Sequence, residues 1–203
     1  INLLQTADGA LVETSNMLQR MRELAVQSAN ASNSVSQRAY LGREFASLTE
    51  EITRIASNTQ WNNASVFGTS AAANTLVFQA GINSGQTISV VISAMDATSL
   101  GIGAATVTTY ATASAALGLL DTAIDLVNSS RSTMGATMNQ LSYSADNMLN
   151  ISTNIAASRS SIMDTEYATA SSQLSRSQII QQAATAMLAQ ANQQPQSVLE
   201  LLK

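Results

Sequence analysis

The sequence predicts a mainly α fold: an elongated, rod-like antiparallel helical bundle of coiled-coil type, with one β-hairpin and a C-terminal helix. Two periodicities predict it, a seven-residue repeat of apolar positions in long segments and a two-residue alternation in one short segment. The composition agrees, since 45% of the residues are hydrophobic but only 4% are aromatic and 11% charged. Such small, mildly apolar side chains favour close packing of helices.

Residues 1–30 and 37–57 are predicted to form two helices joined by a Ser- and Asn-rich loop at 31–36. The first helix repeats apolar or small residues at heptad spacing, which predicts a coiled-coil seam. The second helix has a continuous apolar stripe, and the short loop makes the pair an αα-hairpin. The seam residues are Leu4, Ala7, Leu11, Thr14, Leu18, Met21, Ala25 and Ser28, and the stripe residues are Leu41, Phe45, Leu48, Ile52 and Ile55.

Residues 75–93 alternate apolar and polar side chains on either side of Asn83-Ser84-Gly85. This pattern predicts a β-hairpin with one buried face. The flanking segments 58–75 and 94–110 have no clear period and are not assigned to an element. We expect Trp61, in the first of them, to pack under the hairpin.

A long helix is predicted from about 111 to 157, with its apolar seam interrupted by two polar residues, Arg131 and Ser152. At about 1.5 Å per residue this helix is about 70 Å long, which suits a rod rather than a compact core. Ser158–Ser161 is expected to weaken the helix. The seam residues are Leu117, Leu120, Ile124, Val127, Arg131, Met134, Met138, Leu141, Ala145, Met148, Ser152 and Ile155.

A last helical stretch is predicted from about 164 to 192, ended by Pro195. It has no charged residue between Arg176 and Glu200, and no other segment of the chain is an obvious mate for it. We therefore expect it to pack against other chains. Its larger apolar residues, with those of the tail that follows, are Leu174, Ile180, Met187, Leu188, Val198 and Leu199.

The composition excludes several classes of site. The chain has no His and no Cys, so we expect no catalytic centre, no cofactor and no metal site. Its net charge of −4 gives no basic surface for nucleic acid. No apolar run reaches the roughly 18 residues that a bilayer requires, so we expect no membrane insertion.

Two charged features are open to more than one interpretation. Asp121 and Asp125 are one turn apart, and without a third ligand we expect a solvated face rather than a cation site. Arg131 interrupts the long seam. It is interpreted either as the partner of an acid across the bundle or between subunits, or as a solvated edge residue.

Four separated segments resemble bacterial flagellin. They are Asn16–Asn30, Phe45–Asn63 with Glu50-Glu51-Ile52 and Ser57–Asn62, Ala157–Ala168, and Gln190–Leu199. The resemblance implies a short form with almost no outer-domain insert. It implies a rod-shaped core domain at 1–157, and at 158–203 a linker and the C-terminal half of the terminal filament-core domain. Because Ile1 already lies within a predicted helix, we expect an N-terminally truncated fragment, which should not form a normal filament.

The resemblance also implies a function, partners and sites. The chain would be a structural subunit of the flagellar filament, extracellular, exported by the flagellar type III pathway, and would self-assemble for motility. Expected partners are other flagellin subunits, the export apparatus and flagellin export chaperone, hook-associated proteins and Toll-like receptor 5. The receptor surface would comprise Gln19, Arg20, Glu23, Leu24, Gln27 and Glu44. The C-terminal apolar residues named above would assemble the filament core.

Alternative functions were weighed against this one. A cell-surface flagellin homologue that binds a polysaccharide or a host surface would use Trp61 with Asn62 and Asn63, the one aromatic–polar cluster of the sequence. The hook–filament junction protein shares the terminal motifs. A metallopeptidase of the kind inserted in some flagellins needs His-Glu-x-x-His, and the chain has no His.

Overall fold

The computed structural model describes residues 1–68 and 73–200, and the side chains within them except those of 164–166 and 194–200. It has three α-helices and two small antiparallel sheets, and the mainly α prediction is confirmed. The chain divides into two compact units, residues 1–147 and 148–203. The predicted domain boundary at 157 stays a prediction.

The first helix, α1, is Asn2–Ser28, and its predicted seam is confirmed. All eight heptad positions are buried, six of them apolar and two, Thr14 and Ser28, polar. The hydroxyl of Thr14 donates to the carbonyl oxygen of Ala10 at 3.0 Å. That of Ser28 donates to the carbonyl oxygen of Val107. The buried hydroxyls are therefore satisfied, which removes most of the cost of placing them in a core.

The second helix, α2, is Val35–Asn58 and begins two residues earlier than predicted. The reason is a capping box: the side chain of Ser34 accepts from the amide of Gln37, and the side chain of Gln37 accepts from the amide of Ser34. Arg38 then holds the end of α1, donating to the carbonyl oxygens of Ser28 at 2.9 Å and Asn30 at 3.1 Å. The loop between the helices is therefore 29–34, and α1 and α2 are in contact along the hairpin.

A first, very short hairpin joins β1, Gln60–Trp61, to β2, Ala64–Ser65. The sequence analysis missed it and predicted one hairpin. The two residues between the strands, Asn62 and Asn63, both have positive φ, 51° and 63°. Positive φ at both central positions is the geometry of a type I′ turn, and Asn is among the residues that tolerate it. The Asn-Asn pair was therefore the available signal.

The predicted hairpin is confirmed as β3, Asn74–Gln79, paired with β4, Thr87–Ile92. Val90 and Ile92 are buried, and Leu76 and Phe78 pack against the core from β3. Val77 and Val91 are exposed on the opposite face. The two-residue alternation thus gives one buried face, as predicted.

Residues 93–109 form a connection that belongs to the core although they have no period. All their larger apolar side chains and one alanine are buried: Met95, Ala97, Leu100, Ile102 and Val107. Desolvation raises the pKa of the Asp96 carboxyl, but hydrogen bonds from the Ser99 hydroxyl and from the amides of Ser99 and Thr98 outweigh it, so the pKa lies below its ordinary value. Gly101, at φ 75°, provides the left-handed residue that closes this turn.

The third helix, α3, is Tyr110–Glu200, a single helix of 91 residues. The prediction of two helices, about 111–157 and about 164–192, with the second ended by Pro195, was wrong, because α3 continues through Ser158–Ser161 and Pro195. A Ser in a helix costs less than about 0.7 kcal/mol, which its Ala- and Ile-containing neighbours offset. A proline costs about 3 kcal/mol, a finite penalty that weakens a helix without necessarily ending it.

The long seam is buried only in the first unit. Of its predicted members, Leu120, Val127 and Met134 are buried, and Leu117, Ile124, Met138 and Leu141 are partly buried. Beside them, three alanines that the prediction did not include are also buried: Ala113, Ala116 and Ala123. Ala145, Ser152 and Ile155 are exposed, contrary to the prediction of one seam buried to residue 155. Burial of the seam therefore stops where the compact unit of residues 1–147 ends.

One helical segment, Tyr110–Gln193, is long and apolar enough to meet a membrane-span criterion, with a window of mean hydropathy 1.2 that is 28% buried. The sequence analysis found no such window. Core helices of water-soluble proteins meet the same criterion, so the expectation of no membrane insertion stays a prediction.

The buried seam predicts that the same substitution, Leu→Ala, lowers the free energy of unfolding by very different amounts at two positions. Leu11→Ala removes a fully buried side chain of α1 and should lower the free energy of unfolding by about 3 kcal/mol. Leu149→Ala makes the same change at a helical position that is 67% exposed and should cost less than about 0.5 kcal/mol. Urea denaturation followed by circular dichroism measures both, and equal losses would contradict the assigned core.

Candidate functional site

The first candidate surface, here the charged face, is formed by Gln19, Arg20, Glu23 and Gln27 of α1 with Glu44 of α2. All five side chains are exposed. Spacings of three and four residues place the α1 members on one side of the helix. Because α2 returns antiparallel to α1, it brings Glu44 to the same place.

Arg20 joins the two helices at the centre of this face. Its Nε donates to Oε1 of Glu44 at 2.9 Å, and its Nη1 donates to Oε2 of Glu23 at 3.0 Å. The hydrogen bonds that the guanidinium donates to Glu23 and then to Glu44 raise the pKa of Arg20 above its ordinary value. The three side chains carry one positive and two negative charges, so the charged face has a net charge of −1 at neutral pH.

Leu24 does not lie on the charged face, and its placement there was wrong. Its side chain is fully buried. It follows Met21 by three residues and precedes Ser28 by four, so it shares the inward side of α1 with the seam. Helical spacing alone does not decide its side, because Leu24 is also four residues from Arg20 and three from Gln27. The available signal was its large apolar side chain next to the seam, whereas the resemblance placed Leu24 by motif position.

A shallow groove of about 380 Å³ lies beside the charged face and is lined by Gln19, Arg22, Glu23, Val26 and Gln27. The Nε of Arg22 donates to Oδ1 of Asp121 on α3 at 2.7 Å. Asp121, predicted to be a solvated carboxylate, is therefore paired with an arginine. The sequence analysis missed Arg22 and Val26, because only the packing of distant segments brings Arg22 to α3.

Two open interpretations are also decided by contacts. Arg131 pairs across the bundle, with its Nε 2.8 Å from Oδ1 of Asp8. Trp61 is 40% exposed at the end of β1, so the expectation that it packs under the β3–β4 hairpin was wrong.

The second candidate surface, here called the unpartnered segment for its exposed large apolar side chains, is the α3 stretch from Leu149 to Gln193. Every side chain described in it is exposed. Leu174 and Leu188 are 60% and 62% exposed, and Ile180 and Met187 are 61% and 72% exposed. Val198 and Leu199, which were predicted with them, lie outside the described side chains.

The apolar residues of the unpartnered segment point to more than one side. Leu174 and Leu188 are two heptads apart and share one side of the helix, and Ile180 and Met187 are one heptad apart and share another. At about 100° per residue the two pairs lie about 100° apart around the axis. A helix with this distribution is suited to neighbours on two sides rather than one.

Known protein families match both ends of the chain. The family described as the bacterial flagellin N-terminal helical region matches residues 1–72, and that described as the bacterial flagellin C-terminal helical region matches residues 117–202. A flagellin of Halalkalibacterium halodurans is 40% identical over 100% of this chain and 75% of its own length. The Treponema phagedenis protein named flagellar filament 33 kDa core protein is 36% identical over 100% of this chain and 76% of its own.

The chain belongs to the bacterial flagellin family.

Solved structures agree with this assignment. The crystal structure of Bacillus cereus flagellin is 34% identical, with a TM-score of 0.63 over 72% of this chain and 84% of that one. A flagellar hook-associated protein of Vibrio parahaemolyticus has a TM-score of 0.56 over 75% of this chain and 83% of that one, at 17% identity. At 17% identity, the likeness to the hook-associated protein shows the fold alone. Flagellin is a structural protein and not an enzyme.

Proposed function

We propose that this flagellin builds its filament by folding the unpartnered segment of α3 against other copies. Members of its family are subunits of the flagellar filament, which lies outside the cell, and they polymerise with one another. The single observation that carries the proposal is the exposure of every described side chain from Leu149 to Gln193, in a helix that also has no charged residue between Arg176 and Glu200.

The energetics favour contacts on both sides of the helix. Full burial of a Leu, Ile or Met side chain contributes about 1.5–3 kcal/mol, so the four large residues together contribute on the order of 6–12 kcal/mol. Association alone costs roughly 4–15 kcal/mol, before side chains are ordered. One contact stripe, a pair such as Leu174 and Leu188, contributes only about 3–6 kcal/mol, which lies at or below this cost, whereas both stripes together come within its range. Assembly is therefore favoured when both stripes are covered in a polymer.

This predicts the effect of polar substitutions in the natural full-length flagellin. Leu174→Gln with Leu188→Gln removes one stripe and keeps helix propensity, and should raise the critical concentration for seeded polymerisation roughly a hundredfold. Leu174→Met with Leu188→Met keeps an apolar stripe of the same size and should polymerise nearly as well. Filament length by electron microscopy and the sedimented fraction measure both.

Equal growth of the Gln and Met variants would show that the stripe is not a filament contact. Failure of the unsubstituted protein to grow on filament seeds would instead favour the second candidate, a flagellin homologue that binds a polysaccharide or host surface. The observation that favours this candidate is the exposure of Trp61 beside Asn62 and Asn63.

We propose further that the charged face is the part that Toll-like receptor 5 binds. Support comes from the exposure of Gln19, Arg20, Glu23, Gln27 and Glu44, and from the ion pairs of Arg20, which fix two helices in one rigid surface. Leu24 is buried on the inward side of α1, behind this surface. The neighbouring groove offers Val26 as an apolar contact between charged side chains.

The receptor proposal predicts a selective loss of signalling. Arg20→Ala with Glu44→Ala should raise the half-maximal concentration at least tenfold in reporter cells that carry Toll-like receptor 5. The matched control is Arg54→Ala with Glu51→Ala, which removes an exposed ion pair within α2 whose hydrogen bond holds the pKa of Glu51 below its ordinary value. Equal potency of the two variants, both folded by circular dichroism, would refute the proposal.

Three further contacts are proposed on the family resemblance. The flagellar type III pathway would export the chain, a flagellin export chaperone would cover the unpartnered segment before export, and hook-associated proteins would adjoin the filament. The support for the chaperone contact is the exposed apolar surface at Leu174, Ile180, Met187 and Leu188, which is prone to association before assembly.

A further inference from the structure

We propose that two ion pairs of opposite polarity, Asp8–Arg131 and Arg22–Asp121, set the direction and register in which α3 packs on α1. Both pairs join α1 to α3, at 2.8 Å and 2.7 Å. The Asp8–Arg131 pair is half-buried, with side-chain exposures of 32% and 35%, and the other pair is more exposed.

The order of charges along the chain favours an antiparallel arrangement. On α1 the acid, Asp8, precedes the base, Arg22, and on α3 the acid, Asp121, also precedes the base, Arg131. Antiparallel helices therefore bring each acid opposite a base. A parallel arrangement would bring acid opposite acid and base opposite base, which repel one another.

The spacing of the charges favours one register. Asp8 and Arg22 are about 21 Å apart along α1, and Asp121 and Arg131 about 15 Å along α3, at 1.5 Å per residue. The difference is about one helical turn, which the long arginine side chains span. A slip of one heptad moves α3 by about 10 Å, which is beyond that reach.

Burial of apolar side chains alone distinguishes poorly between the native register and one slipped by a heptad. The buried apolar face of α3 comprises six residues, and moving seven places along α3 replaces five of them with other apolar residues and one with Ser130. The replacements are Ala113 by Leu120, Ala116 by Ala123, Leu120 by Val127, Ala123 by Ser130, Val127 by Met134 and Met134 by Leu141.

The same slip would, in contrast, break both ion pairs. The same move places Met138 where Arg131 faced Asp8, and Asn128 where Asp121 faced Arg22. Asp8 then loses its partner in a half-buried place, where an unpaired charge is costly. Exposed ion pairs contribute little net stability, so the role of these pairs is the choice between arrangements rather than stabilisation.

A polarity swap tests the inference without changing net charge. Asp8→Arg with Arg22→Asp brings like charges together at both places in the native register. Adding Asp121→Arg with Arg131→Asp restores both pairs with reversed polarity. Because the chain has no Cys, spin labels at Asn16→Cys and Ser142→Cys, both exposed, report the register by electron–electron double resonance.

In the variant with the swap on α1 alone, the single native distance between the two spin labels should disappear. A peak displaced by up to about 10 Å, or a broad distribution of distances, should replace it. The fourfold variant should return to the native peak. Arg54→Glu with Glu51→Arg, a swap within α2, is the control and should leave the peak unchanged.

A native, unbroadened peak in the α1 swap would overturn the inference. If that variant loses its helical circular dichroism instead, the fourfold variant decides: a native peak supports the inference, and failure to regain it overturns it.

Discussion

The buried seam of α1 is the contact on which the rest of the first unit depends. Its eight heptad positions are buried, and Leu24 extends it on the same side. The hydroxyl of Ser28 reaches from it to the 93–109 connection, and Arg38 of α2 holds its end. Among the described residues, each ion pair that joins two helices has one member on α1. The charged face is therefore the outer side of the central helix, and it is rigid because the inner side is packed.

Sequence periodicity predicted those parts of the fold in which one side of an element is buried. The α1 seam, the α2 stripe and the β3–β4 hairpin follow directly from spacings of seven, three to four, and two residues. It could not reveal the buried connection at 93–109, whose apolar residues enter the core one at a time from turns. The helix through Ser158–Ser161 and Pro195 was missed because the serines and the proline were interpreted as helix ends rather than as finite costs in free energy, less than about 0.7 kcal/mol for a Ser and about 3 kcal/mol for the proline.

The candidate surfaces likewise have parts that the sequence predicted and parts that it could not reveal. The exposure of the C-terminal helix could be predicted from its lack of charge and of a mate, since both are properties of composition. The pairs Arg20–Glu44, Arg22–Asp121 and Asp8–Arg131 join residues far apart in the chain and become visible only once the helices are packed. Motif position alone misplaced Leu24, because a motif does not record which side of a helix faces inward. We propose, from this division, that the packed first unit presents a fixed surface and that the unpartnered segment supplies the apolar area for polymerisation.

The most direct test of the central claim is amide hydrogen exchange of the dilute monomer, followed by mass spectrometry of its peptides. The claim is that the unpartnered segment gains its stability from other copies, because an isolated helix in water is marginal. Peptides from the α1 seam should be protected by orders of magnitude, those from 150–190 should exchange almost without protection, and filament assembly should protect them. Strong protection of 150–190 in the monomer, equal to that of α1, would contradict the account.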